Sequence, residues 1–262
     1  MRGNFDLDRY PLDRPRSEAW RALVRRCKAD LARDGMFNLD MLLKPDAAAA
    51  LVADLTPGFA TRSFRHEREH NIYFADRVPG LEDDHPALRR FRTENRTLCG
   101  DQVRGSVIEW LYHWPEFAEF LSAAMDKPAL YPMQDELAGL NVMSYDQGQA
   151  LSWHFDRSEF TNTMLLQAPH TGGEFLYRTD LRSDDDPNFD GVARLLRGED
   201  PHRKSLTLKP GTLNVFRGKN TPHCTAPVEG PRARVICVFS FYEAAGVQFS
   251  DDERLGFYGR TR

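Results

Sequence analysis

Residues 140–167 read LNVMSYDQGQALSWHFDRSEFTNTMLLQ. Three short runs stand out in it: LNVMSY (140–145), ALSWHF (150–155) and FTNTMLLQ (160–167), separated by Asp, Gln, Gly, Arg and Ser. β-Branched and aromatic side chains bounded by such punctuation read as strands with short connections. The pattern continues in GGEFLYR (172–178), SLTL (205–208), TLNVF (212–216) and RVICVFSFYE (234–243). About seven short strands of this kind predict a sandwich or barrel of the jelly-roll type. The stretch 179–204, TDLRSDDDPNFDGVARLLRGEDPHRK, breaks the pattern and reads as an insertion with a short helix.

Working outward from the strands, the first half reads as helical support. In SEAWRALVRRCKADLARD (17–34) the apolar residues Trp20, Leu23, Val24, Cys27 and Leu31 recur in steps of three and four, tracing one helical stripe. Ser17 suits the N-cap and Gly35 the C-terminal stop. MFNLDMLL (36–43) suits a short strand. Pro45 and Asp46 then open a helix that Pro57 and Gly58 are expected to end. Residues 59–100, rich in charge and aromatics, define no element. A helical stretch follows over roughly 101–125, broken or restarted at Pro115.

The expected organisation is one β-rich α+β domain over 1–262. Residues 1–131 form mainly helical support, 132–245 the β core with the 179–204 insertion, and 246–262 a tail. The chain has 262 residues, 41% apolar and 28% charged, which suits a folded domain with a core and not a disordered chain. Lys and Arg number 35 against 39 Asp and Glu, a net charge of −4 that argues against a nucleic-acid partner. No apolar run approaches the roughly 18 residues that span a bilayer. The charged opening MRGNFDLDRYPLDR resembles neither a signal peptide nor a membrane anchor. Four cysteines without C-x-x-C spacing point to reduced thiols and a cytoplasmic protein.

The chemistry concentrates in Ser152-Trp153-His154-Phe155-Asp156. Residues two apart on a strand share a face, so His154 and Asp156 are expected to meet one cavity. His223 follows downstream, just past the strand-like TLNVF. Two imidazoles and one carboxylate on one face of an iron leave open positions for a cosubstrate and dioxygen. His-x-Asp alone is a weak pattern. Arg234 adds to it, because an arginine at the head of an apolar strand is expensive to bury unless an anion meets it. Its guanidinium fork matches a carboxylate.

Around these residues the chain resembles the non-haem iron(II), 2-oxoglutarate-dependent oxygenases. The motifs are Tyr145-Asp146-Gln147-Gly148, His154-Phe155-Asp156, Thr171-Gly172-Gly173-Glu174-Phe175, Lys209-Pro210-Gly211-Thr212-Leu213-Asn214-Val215-Phe216, His223 with Pro227-Val228, and Arg234. The resemblance implies a double-stranded β-helix (jelly-roll, cupin-like) with N-terminal helices packed on it. It implies iron(II) bound by His154, Asp156 and His223, with 2-oxoglutarate on Arg234 and O2 as the other cosubstrate. More narrowly, residues 211–220 and the tail Glu253–Arg260 resemble the subfamily of free amino-acid halogenases and related hydroxylases. In the halogenases glycine replaces the metal-binding carboxylate and chloride takes the vacancy. Asp156 is present here, so the resemblance implies hydroxylation of an unactivated C–H bond in a free amino acid or small derivative.

Tyr145 and Thr163 are further candidates for contact with 2-oxoglutarate. Glu136, Arg157, Val238 and Ser240 are candidates for the substrate; strand parity puts Val238 and Ser240 on the side of Arg234. His66, His70, His85, His113, His170 and His202 read as surface or satisfied histidines. In Arg89-Arg90-Phe91-Arg92 one arginine could hold a substrate carboxylate, and a solvated basic helix end is at least as good a reading. The alternatives are the same chemistry on a nucleotide or other small metabolite, a halogenase-related enzyme, and a non-catalytic cupin-like binding module. A small-molecule substrate is the expected partner, without nucleic acid or membrane, and a homo-oligomer stays open.

Overall fold

Ser17 and Gly35 delimit the first helix as their chemistry predicts. In the computed structural model, which describes residues 1–262, α1 runs Glu18–Asp34. The Ser17 hydroxyl accepts the Trp20 amide at 3.2 Å, and Gly35 takes a left-handed φ of 74°. The buried face is Trp20, Leu23, Val24, Cys27 and Leu31, the stripe expected from spacing.

Strand β1 (Met36–Leu39) follows, then α2 (Pro45–Thr61). The expected stop at Pro57 is corrected: α2 passes through Pro57 and Gly58 to Thr61. Proline removes one helical donor, the amide that would have bonded Ala53 O, and that single loss does not end the helix. Leu51, Leu55 and Phe59 continue the buried stripe across the proline, so packing holds the helix together.

The undefined region 59–100 contains β2 (Phe64–His70) and β3 (Phe91–Leu98), paired antiparallel from Phe64↔Thr97 to His70↔Phe91. The first 131 residues are therefore less purely helical than expected. Helices α3 (Val107–Tyr112) and α4 (Pro115–Ala124) come next, with Pro115 opening the second. The strands of the β-rich half are β4 (Tyr131–Pro132), β5 (Leu140–Tyr145), β6 (Leu151–His154), β7 (Thr161–Gln167), β8 (Thr171–Gly172) and β9 (Phe175–Tyr177). After the insertion helix α5 (Phe189–Leu196) come β10 (Lys204–Leu206), β11 (Leu213–Phe216), β12 (His223–Thr225), β13 (Val228–Glu229), β14 (Arg234–Phe239) and β15 (Phe241–Tyr242). The chain closes with α6 (Asp251–Tyr258).

Seven strands make one sheet in the order β1-β11-β7-β14-β5-β3-β2, and β10-β9-β12-β6 make a second. This is the double-stranded β-helix expected from the sequence. Alternation sorts the large sheet's side chains. Val142, Met164, Leu213, Val215, Val235, Cys237 and Phe239 face the core with α1, α2 and α4. Their neighbours Asn141, Tyr145, Thr163, Asn214, Arg234, Ile236 and Val238 line a cavity on the other face. One sheet thus has a dry face for the helices and a functional face for chemistry.

Candidate metal centre

His154 closes β6 and His223 opens β12, and the two are paired directly across that ladder. Both rings are buried, with centroids 4.2 Å apart. His154 Nδ1 lies 2.8 Å from Ser152 O, and His223 Nδ1 lies 3.0 Å from Thr221 O. A carbonyl only accepts, so each Nδ1 carries the hydrogen and each Nε2 keeps a free lone pair. Asp156 stands between the two Nε2 atoms: Oδ1 is 3.3 Å from His154 and Oδ2 is 3.5 Å from His223. One ligand atom from each residue falls within 4.8 Å of the others. Backbone carbonyls behind both imidazoles are the outer support that orients metal-binding histidines.

Burial favours the uncharged ring and pushes His223 down to about 4, against the attraction of Asp156. Burial would raise the Asp156 carboxyl, but the two histidines and a hydrogen bond from Thr161 outweigh it and hold Asp156 well below the usual carboxylate range. At neutral pH His223 is a neutral imidazole and Asp156 a carboxylate, with the Nε2 of His154 turned to the same point. That donor set suits a divalent transition metal and leaves one coordination face open.

Arg234 heads β14 on the same cavity wall and is only 3% exposed. Nε donates to Gly173 O at 3.1 Å, while the other two guanidinium nitrogens have no partner in the chain. Burial pulls its pKa down to about 10. A buried cation without a carboxylate partner fits an incoming anion, so the residues present suit a metal with a carboxylate cosubstrate. Tyr145 pairs opposite Arg234 across β5 and β14, with the guanidinium 5.9 Å from its ring centroid; burial pushes the phenol up to about 12. Thr163 lies opposite Asn214 and Val238 and also lines the cavity of about 310 Å³.

The substrate candidates divide. Val238 lines the cavity, as parity requires, and Arg157 sits at its mouth, 3.0 Å from Glu253. Ser240 is corrected: β14 ends at Phe239, so the pleat does not carry through. Its amide donates to Gly139 O and its hydroxyl to Ala138 O, away from the cavity. Glu136 is also corrected. It is an exposed side chain paired with Arg104 at 2.9 Å, outside the cavity. Its neighbour Asp135 is the buried acid, and it binds the amides of Leu137, Ala138 and Phe249 and the guanidinium of Arg254. The Arg89–Arg92 cluster contacts carbonyls and surface acids and stays outside the cavity.

Missed from sequence were the wall residues of β2 and β3 and of the tail: His66, Arg68, Thr93, Asn95, Thr97, Phe257 and Tyr258. The signal was present as alternation in FRTENRTL, whose Thr93, Asn95 and Thr97 are buried while Arg92 is exposed. Inward polar residues conceal a strand from any rule that looks for inward apolar ones.

A family model described as Halogenase D matches residues 20–252. Among solved structures, the non-heme alpha-ketoglutarate-dependent epimerase SnoN from nogalamycin biosynthesis aligns at 16% identity, covering 84% of this chain and 83% of its own, with a TM-score of 0.57. HygX from Streptomyces hygroscopicus, solved with nickel and 2-oxoglutarate bound, aligns at 13% identity over 91% and 96%, with a TM-score of 0.56. AviO1 from Streptomyces viridochromogenes Tue57 aligns at 20% identity over 85% and 96%, with a TM-score of 0.55. At these identities the likeness establishes the fold. No curated protein matches the chain significantly.

Proposed function

The chain belongs to the Halogenase D family, and we propose that within it this protein is an iron(II)/2-oxoglutarate-dependent hydroxylase. The observation that carries the reading is Asp156, whose carboxylate sits between the two Nε2 atoms where a halogenase of this kind would need room for chloride. His154, Asp156 and His223 would hold the metal, and Arg234 would clamp the distal carboxylate of 2-oxoglutarate, flanked by Tyr145 and Thr163. Bound iron(II) supplies the activation of O2, and the overall reaction converts substrate C–H, O2 and 2-oxoglutarate to alcohol, succinate and CO2.

The remaining work belongs to the chain. The backbone carbonyls of Ser152 and Thr221 fix both imidazoles. Thr161 donates to Asp156 and holds the carboxylate in one rotamer. Ile236 and Val238 present an apolar wall that limits water around the target bond. We read the whole chain as one oxygenase domain, since α1, α2 and α4 pack on the sheet that carries the site. A free amino acid or small derivative is the proposed substrate, on the likeness of residues 211–220 and the tail to that subfamily. Four unpaired, buried cysteines support a cytoplasmic setting, and no helix is long and apolar enough to cross a membrane.

The test has two readouts. Anaerobic titration with iron(II) and 2-oxoglutarate should give a weak visible charge-transfer band. Its absence would favour a binding module. A screen of free amino acids, read by succinate release and a mass gain of one oxygen, should then identify a hydroxylated product.

A further inference from the structure

The cavity beside the metal centre carries an uneven set of polar groups. Asp156 is the only carboxylate lining it, and its oxygens face His154, His223 and Thr161. Arg68 lines the same cavity from β2 and makes no hydrogen bond or ion pair. The cause is alternation: Glu67 faces the opposite side of the strand, where it pairs with Arg65 and Arg92. The Arg68 guanidinium lies 5.1 Å from the Phe74 ring centroid, and Phe74 meets His154 edge-on at 5.7 Å. A free cation and the metal site are therefore linked through one aromatic ring.

Asn95 has the same bias. Its Oδ1 accepts the Thr97 hydroxyl at 2.8 Å, which leaves the amide nitrogen as an unused donor towards the cavity. Arg157 at the mouth already has Glu253. Apolar wall is supplied by Leu151, Ile236, Val238 and Phe257.

We propose that the substrate is a carboxylate held by Arg68, with an uncharged, largely apolar body along Phe74, Ile236 and Val238, and that a side chain ending in an ammonium group is rejected. The inference rests on the oxygenase reading above and narrows its substrate. An ammonium at the far end of the side chain, buried against Ile236 and Val238, would lose its water and find no free carboxylate, whereas the α-ammonium stays beside the carboxylate at the exposed Arg68.

L-Norleucine and L-lysine share their α-groups and differ at the side-chain end, so they isolate that feature. The protein is loaded anaerobically with iron(II) and 2-oxoglutarate, and each amino acid is titrated against the visible band. L-Norleucine should perturb the band with an affinity at least about tenfold above that of L-lysine, a difference of about 1.4 kcal/mol. Arg68→Ala should weaken L-norleucine by about tenfold while leaving 2-oxoglutarate affinity unchanged, and Arg68→Lys should recover part of the loss. Lysine binding as tightly as norleucine, no response to norleucine, or normal norleucine binding by Arg68→Ala would each overturn the proposal. A protein that forms no band at all fails earlier, at the oxygenase reading, and takes this inference with it.

Discussion

Gly218 O accepts the Asp156 amide hydrogen at 3.1 Å, and the side chain that Gly218 lacks is the space in which the Asp156 carboxylate lies. A Cβ at position 218 would overlap Asp156 Oδ2 and also crowd the Thr161 hydroxyl. The residue pair joins the end of β6 to the loop after β11, so the loop's backbone sets the rotamer of the carboxylate.

Gly218→Ala should therefore act as a metal-site variant although residue 218 binds no metal. We expect iron(II) affinity to fall by about tenfold or more, the range seen when the support of a ligand is disturbed. Thermal stability of the metal-free protein should change by only about 1–3 kcal/mol, the usual cost of overpacking. Metal titration of the variant checks this; wild-type affinity would mean that the carboxylate relocates freely.

The reaction outcome depends on Asp156. The wild type should give only oxygenated product even in high chloride, because on the proposed reading the carboxylate would fill the third ligand position. Asp156→Gly removes the charge and the volume together, so most hydroxylation should be lost and chloride gains a place to bind. Product masses for both proteins, with and without chloride, decide the matter. Chlorinated product from the wild type would sink the hydroxylase reading.

Arg234 separates ligand binding from folding. In the ligand-free protein its buried charge is a burden, as its lowered pKa of about 10 indicates, so Arg234→Ala should fold at least as stably as the wild type. Affinity for 2-oxoglutarate should fall by about a hundredfold, equivalent to about 3 kcal/mol. Thermal melts under anaerobic conditions read both effects. At about 100 times its dissociation constant 2-oxoglutarate should stabilise the wild type by about 2.7 kcal/mol, and the variant hardly at all. Arg232 is exposed two residues earlier and cannot replace it.

Asp135 ties the tail to the site. Its buried carboxylate binds three amides and Arg254, and through Phe249 and Arg254 it anchors the segment that brings Phe257 and Tyr258 to the cavity. Burial would raise its pKa, but these hydrogen bonds prevail and lower it. Asp135→Ala should cost about 2–4 kcal/mol, since it strands buried donors and a guanidinium. Its depressed pKa means that this stability is present above the ordinary carboxylate range near pH ~3.9 and is lost as the pH falls below it. Denaturant unfolding of wild type and variant at neutral and acid pH should show the gap closing in acid.

Several features were legible in the residues because they follow from local covalent geometry. The period of two put Arg234, Ile236 and Val238 on one wall; Asp156 meets His154 as expected, but from beyond the end of β6, where its amide bonds Gly218 O. The steps of three and four in residues 17–34 marked the face of α1, and Ser17 and Gly35 marked its ends. Where local order changes, the same rules failed: parity ran past the end of β14 to Ser240, and Pro57 did not stop a helix that packing holds. Glu136 stands out in the sequence as a substrate candidate, yet its neighbour Asp135 is the buried acid, because charge alone does not say which of two acids is buried.

By itself, then, the sequence determined the strand-rich half, the stripe of α1 and the alternation of β14, since each depends only on how far apart residues lie along an element. The tertiary structure alone decided what meets across elements. It set Gly218 behind Asp156, brought Arg68 and Asn95 into the cavity wall and drew Phe257 and Tyr258 over its side. The physical reason is that β2 and β3 turn polar side chains inward, so no burial of apolar surface signals their strands. Their place is set by backbone pairing with β5, which exists only once the sheet has assembled.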